Sequence, residues 1–461
     1  MSQLLAAIAT TRFGLGAGPG EIAAAGGDPK GWVKSQINPE AARIPEAGLP
    51  SALQVIASQP AIYGIGPADP DMRMQAATNL REKMRAEIAA RLNHAIVTPH
   101  PFAERWARFW SNHFTVAARS VPLSGLVGPF EREAIRPNVF GSFRALLRAA
   151  TFHPGMLGYL DAQRSIGPST VAAQQRDAGL NENLAREVLE LHTMGVGSGY
   201  SQDDIIEFAK ALTGWTIAGT RIARLGAGGQ AQQRRASLDA EPGASVFVPG
   251  IHEPGARTVL GKRYDVAGRE QAGAILDDLA IQPATARRVA TKLARHFIAD
   301  APPAAAVAAL ESAFMRTSGD LAELARAVVD LDAAWATGPA SAKFKTPDEL
   351  MISVARATGS RAPRDMARFY RMLGHMPYSA PSPAGWPDDT ASWSGADAIK
   401  KRIEWANDVA RRMPRGASPG AFLEQALGEL VSQQTRQAIA SAESAEQGFT
   451  LAIMSPEFQR R

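Results

Sequence analysis

The stretch NENLAREVLELHTMGVGSGYSQDDIIEFAKALTGW, residues 181–215, crowds Glu182, Asn183, Arg186, Glu187, Glu190 and His192 ahead of a glycine-rich turn. Carboxylates of this density could serve as general bases or metal ligands, an arginine could hold an anionic group, and an asparagine could orient a polar substrate. At about 100° per residue, Glu182, Asn183, Arg186, Glu187 and Glu190 share one arc of a helix, and Leu184, Ala185, Val188, Leu189, Leu191 and His192 share the other. His192 therefore points away from its own helix's carboxylates, which excludes a one-helix zinc motif of the H-E-x-x-H kind. The plainer reading is an i, i+4 charge ladder on a solvated face with a core histidine behind it.

Two further histidines could converge on this arc. In ERWARFWSNHFTV (104–116) helical placement groups Trp106, Phe109, Trp110, His113 and Phe114, so His113 faces inward on an aromatic stripe. A buried imidazole needs a partner, and neutral imidazole is the commonest metal ligand. His252 stands in HEPGARTVLG, where Gly255 permits a tight bend; the plainer reading there is an exposed turn histidine. A cysteine-free set of His113, His192 and carboxylates suits a divalent metal: Zn, Mn or Fe, or Mg on the carboxylates alone.

These residues must be positioned by helices. Most segments between Gly or Pro breaks repeat apolar residues at spacings of three and four. Asn181 reads as a helix N-cap, Gly195, Gly197 and Gly199 as the helix end, and Ser201 with Asp204 as a capping box opening a second helix. Strand-like runs are few; ASVFV (244–248) and RTVLG (257–261), separated by PGIHEPGA, are expected to form one hairpin. The segment 219–244, rich in Gly, Ala, Gln and Arg, is expected to be irregular, and SAPSPAGWPDDTASW (379–393) a long loop. The expected fold is mainly α, a multi-helix orthogonal bundle with one small β-hairpin insertion. Its expected divisions are an N-terminal helical half (1–218), the insertion and hairpin (219–263), and a C-terminal helical half (264–461) packed with the first.

Composition narrows the function classes. The 461 residues, 45% hydrophobic and 21% charged, can close a large core and are not those of a disordered chain. The absence of cysteine excludes disulfides and thiol nucleophiles. A net charge of +5 comes from 50 basic residues interspersed with 45 acidic ones, and the basic stretch AQQRRAS is short, so nucleic-acid binding is not expected. No apolar run is long enough for a membrane span. The opening MSQLLAAIATTRFGLGAGPGEI lacks a basic n-region, so the chain as written reads as cytoplasmic, and as periplasmic if a leader was removed. GLGAGPG (14–20) follows no strand and carries Pro19, so it is not a dinucleotide loop; a nucleophile elbow and a P-loop are missing as well.

Over nearly its whole length the chain resembles the bacterial domain-of-unknown-function 1800 family. The resemblance is carried by RFGLGAGPGE, FWSNHFTV, the 181–215 stretch, HEPGARTVLG, LARHFIADAPP, FKTPDELMISVARATG, GWPDDTASW and SPEFQ. It implies a mostly helical fold and no established reaction, and it maps onto His113, Glu182, Asn183, Arg186, Glu187, Glu190, His192 and His252. It also implies a partner, because genes of this family commonly neighbour those of the domain-of-unknown-function 1501 family, which resemble the alkaline-phosphatase and sulfatase superfamily. Relatives usually read H-D-x-G-x-K where this chain has His252, Glu253, Gly255 and Arg257, and an arginine could not replace a Schiff-base lysine.

Two readings follow. One is an enzyme with a cleft between the 181–195 helix, the His113 helix and the 252–257 hairpin, using carboxylate and histidine acid–base or metal-assisted chemistry on a polar substrate. In it Glu182, Glu187, Glu190 and His252 are catalytic, Asn183, Arg186 and Arg257 bind, and His113 and His192 hold a metal. The other is a non-catalytic helical scaffold or chaperone for the phosphatase-like partner.

Overall fold

The computed structural model describes residues 2–45, 48–65, 69–174, 179–226, 240–338, 342–361 and 365–461. Helices dominate it, and the described strands form two small two-stranded antiparallel sheets. The largest apolar core gathers around helix Pro101–His113, whose Phe102, Trp106 and Trp110 are fully buried against Phe13, Phe143 and Phe297. Each such ring contributes on the order of 2–3 kcal/mol by leaving water. Helix Pro283–Phe297 packs on it through Ala286, Val289, Ala290, Leu293, Ala294 and Phe297. That 3.6-residue spacing leaves Arg288, Lys292 and His296, successive i, i+4 positions, on the opposite face.

A second apolar cluster joins Leu92, Ala95 and Ile96 of helix Pro70–Val97 to Leu350, Tyr370, Trp405, Phe422 and Phe449 from the C-terminal helices. The charged side chains between the two clusters form the site described below. Helix Pro347–Ala357 begins at a capping box in which Thr346 and Glu349 exchange bonds, with Pro347 at the first helical position.

Local signals in the central stretch are realised. Asn181 Oδ1 accepts from Asn183 N at 2.8 Å, and the Ser201–Asp204 capping box opens helix Gln202–Leu212. The first helix ends in a widened turn, with Thr193 N donating to Val188 O five residues back at 2.9 Å.

The hairpin pairs differently from expectation. Strand Ser245–Phe247 lies beside Trp215–Ile217, with Trp215 opposite Phe247, and closes the base of the 219–244 insertion. The hairpin proper is Arg257–Val259 with Lys262–Tyr264. Its two-residue turn, Leu260 and Gly261, sits at φ +52° and +73°, and Asp204 Oδ1 accepts from Leu260 N at 2.6 Å. The 249–256 segment is too bent by Pro249, Pro254 and Gly255 to join its flanking runs. Within the segment expected to be irregular, Arg221–Gly226 is helical; residues 227–239, including AQQRRAS, lie outside the described residues. No helix among the described residues is long and apolar enough to cross a membrane.

Candidate functional site

The polar arc folds as a ladder. Arg186 lies 2.9 Å from Glu182 and 3.7 Å from Glu190, with all three side chains a quarter to over a third exposed. Gln202 ties Glu182 to the next helix at 2.7 Å, and Asn183 is exposed. Glu187 has its carboxyl pushed up by burial and by Glu190, with Arg119 and Arg186 opposing. His252 Nδ1 meets Thr213 O at 2.9 Å, and buried Arg257 pairs with Glu207 at 3.3 Å. These contacts pin the hairpin to helix Gln202–Leu212.

His113 and His192 meet through a hydrogen bond. His113 Nε2 donates to the His192 carbonyl oxygen at 3.0 Å, and the ring centroids are 6.3 Å apart. That bond assigns the Nε2–H tautomer to His113 and leaves Nδ1 as an acceptor; Nδ1 of both rings is buried without a partner among the described residues. Burial, followed by the charge of Lys292, depresses both imidazoles, His192 to about 3, so both are neutral. No three His, Asp or Glu side chains converge to hold a metal ion among the described residues. The carboxylates of the arc cannot join the two rings because they occupy the other face of the same helix.

The large cavity lies elsewhere. It has a volume of about 690 Å³ and opens between helix Pro101–His113, helix Pro283–Phe297, the start of helix Pro347–Ala357 and the 377–389 loop. His113 lines it; Glu182, Asn183, Arg186, Glu187, Glu190, His192, His252 and Arg257 do not. The loop is fastened by a reciprocal amide pair, Trp386 N to Asn112 Oδ1 at 2.8 Å and Asn112 Nδ2 to Trp386 O at 2.9 Å. Gly385 makes that approach possible: at φ +89°, a Cβ there would lie 2.5 Å from Asn112 O.

One wall is a closed ring of alternating charges. Arg108 binds Glu104 at 2.6 Å, Glu104 binds Arg136 at 2.6 Å, and Arg136 binds Glu131 at 2.7 Å. Glu131 binds Arg91 at 2.9 Å, and both Arg91 and Arg108 reach Asp348. Burial pushes Glu104 up, but Arg136 and Arg108 outweigh it and hold the carboxyl far below the usual range.

A second cluster surrounds His296. Its Nδ1 lies 2.8 Å from Asp388 Oδ2, and Nε2 lies 3.5 Å from Arg105 Nη1. Donation to Asp388 fixes the Nδ1–H tautomer, so Nε2 accepts from Arg105. Burial brings His296 down to about 4 despite Asp388, and the ring is neutral. Asp388 also meets Arg461 at 3.1 Å and Lys343 at 3.4 Å, while Arg105 and Arg461 both engage Glu349. The tail delivers Arg461: backbone bonds from Lys343 and Lys345 hold residues 459–461 against 343–345.

Within both clusters each formal charge has a partner. Two cavity-lining cations do not: among the described residues no hydrogen bond or ion pair reaches Lys292 or Arg295. Burial, reinforced by Arg288 and opposed by Asp388, brings the Lys292 ammonium down from 10.5 to about 7. A lysine that is half neutral at physiological pH can act as a base or a nucleophile.

A family model described as "Protein of unknown function (DUF1800)" matches residues 8–460. The chain belongs to the DUF1800 family. No curated protein and no solved structure gives a match. Five of the segments through which the sequence resembles the DUF1800 family meet at the cavity. Leu15 comes from RFGLGAGPGE, His113 from FWSNHFTV, and His296 and Asp300 from LARHFIADAPP. Thr346, Asp348 and Glu349 come from FKTPDELMISVARATG, and Trp386, Asp388 and Asp389 from GWPDDTASW. Lys292 stands just outside those segments. Its sequence signal is the helix PATARRVATKLARHF, which sets Arg288, Lys292 and His296 on one face and contains no acidic residue.

Proposed function

We propose that the protein is an enzyme acting on a small polar substrate with negative charge, by acid–base chemistry in the 690 Å³ cavity. The observation that carries this reading is Lys292, an ammonium that lines the cavity and has no partner among the described residues, where the two charge clusters beside it are internally paired. A base whose pKa lies near the working pH combines availability with proton-accepting strength. Lys292 takes the proton and returns it, Arg295 attracts the anionic group, and the neutral His296 holds Asp388 in place. Both nitrogens of His296 are engaged, so the imidazole is a positioning group. Glu182, Asn183, Arg186 and Glu190 are a solvated ladder in this reading, Glu187 flanks it, and His252 and Arg257 fix the hairpin.

The test is a panel of small carboxylates, phosphates and neutral polyols, scored by the rise in unfolding temperature of the wild type and of Lys292→Met. A ligand at a hundredfold its Kd stabilises by about 2.7 kcal/mol. Anionic members should stabilise the wild type, and that effect should shrink in Lys292→Met, where Arg295 alone attracts the anion. An equal response in both proteins, or none to any anion, defeats the reading.

The scaffold reading, with a phosphatase-like partner, draws on the closed ring of Glu104, Arg136, Glu131, Arg91, Asp348 and Arg108, a buried network of the kind that fixes packing. It offers no role for a desolvated, unpaired lysine.

A further inference from the structure

We infer that Lys292 forms an imine with a carbonyl compound that carries an anionic group. The inference rests on the cavity being a substrate site, and names the substrate class and the covalent step.

An imine-forming lysine must be free, accessible to a small molecule and unprotonated for part of the time. Lys292 lines the cavity, has no hydrogen bond or ion pair among the described residues, and shares its helix face with Arg288, one turn back. A neighbouring cation and a desolvated setting are the two conditions that free a lysine amine for attack. Lys345 supplies the contrast. Burial brings it to about 7 as well, but its ammonium is sealed over the Phe458 ring at 4.4 Å and it does not line the cavity. The chemistry balances without an oxidant. The amine adds to the carbonyl carbon, the carbinolamine hydroxyl leaves as water after gaining a proton, and nitrogen loses one; the charge of Asp388, which favours protonated Lys292, also favours the iminium. Arg295, exposed at the same cavity and without a partner among the described residues, meets the anionic group.

The experiment uses the full-length protein at pH 7 in two arms, each read lysine by lysine through peptide mass spectrometry. One arm is trace acetic anhydride, which reports any free amine. The other is glyoxylate with cyanoborohydride, which reduces an imine to a carboxymethyl amine, beside glycolaldehyde as the neutral carbonyl. At pH 7 Lys292 holds roughly a thousandfold more free amine than an ordinary lysine. The lower nucleophilicity of a weaker base reduces that advantage to on the order of tenfold to a hundredfold, by the rule that governs thiolates. The expected result is glyoxylate capture at Lys292 at least tenfold faster than at surface lysines, with Lys345 unlabelled. Arg295→Ala should narrow the preference for glyoxylate over glycolaldehyde. Fast acetylation of Lys292 without preferential glyoxylate capture overturns the imine and leaves the proton-transfer reading standing. Slow reaction in both arms overturns both.

Discussion

Lys292→Met should make the protein more stable at neutral pH. In the folded state Lys292 titrates at about 7 against an ordinary 10.5, so the unfolded chain binds the extra proton between those values. Unfolding is therefore favoured wherever the unfolded lysine is charged and the folded one is not freely so. At about 1.4 kcal/mol per tenfold change in the protonation equilibrium, the drop from 10.5 to about 7 handicaps the wild type by roughly 4–5 kcal/mol at pH 7. The sign runs one way: the handicap is full below about pH 7, shrinks as pH rises, and is gone above 10.5. Methionine keeps the length and apolar stem of lysine and removes the charge. Urea denaturation of wild type and Lys292→Met at intervals from pH 6 to pH 10.5 measures the difference, and Lys345, common to both proteins, cancels. The variant should be several kcal/mol more stable at pH 7, with the two converging toward pH 10.5. A variant that is less stable, or a gap that does not change with pH, refutes the desolvated lysine.

Glu104→Gln breaks the charge ring and leaves Arg136 and Arg108 short of a buried partner, so it should destabilise by about 3–5 kcal/mol in urea denaturation; a loss under about 1 kcal/mol would show that the ring does not hold the wall together. Glu190→Gln, in contrast, removes one 3.7 Å contact on a partly exposed ladder and should change stability by no more than about 0.5 kcal/mol; a loss of several kcal/mol would mean the arc is buried against something. Gly385→Ala sets a Cβ against the Asn112 carbonyl at a positive φ, and should lower stability by roughly 1–3 kcal/mol while raising protease cleavage within 377–389; an unchanged cleavage pattern contradicts the clamp.

What could be read from the sequence was local. The Ser201–Asp204 box and the inward aromatic face of Trp106, Trp110 and His113 depend on side chains within a few residues, and the structure has both; the helix after Asn181 starts one residue later than expected, with Glu182 at the cap position and Asn181 Oδ1 accepting from Asn183 N. The arc of Glu182, Arg186 and Glu190 has the i, i+4 ladder geometry its spacing dictates. The hairpin went astray because 244–248 and 257–261 both look like strands, and nothing between them reveals that the first pairs back across the insertion to 215–217. The cavity was hidden for a different reason. Arg105 and Glu349 are 244 positions apart, and Arg461 reaches Asp388 from 73 positions away. Charge pairing over such distances follows from packing, not from spacing. The segments that carry the DUF1800 resemblance did contain the cavity, since their least local residues, His296, Glu349 and Asp388, meet there. Lys292 could be suspected from a basic helix face with no acid, but only packing shows that no partner reaches it among the described residues.

The most direct measurement is an NMR titration of the Lys292 side chain in protein labelled with 13C-lysine, its signal assigned by its absence in Lys292→Met. A midpoint near 7 is the predicted result, and it establishes a half-neutral amine in the cavity at physiological pH. A midpoint near 10.5 would contradict the account, because a lysine that stays charged throughout could bind an anion but could neither accept a proton nor attack a carbonyl.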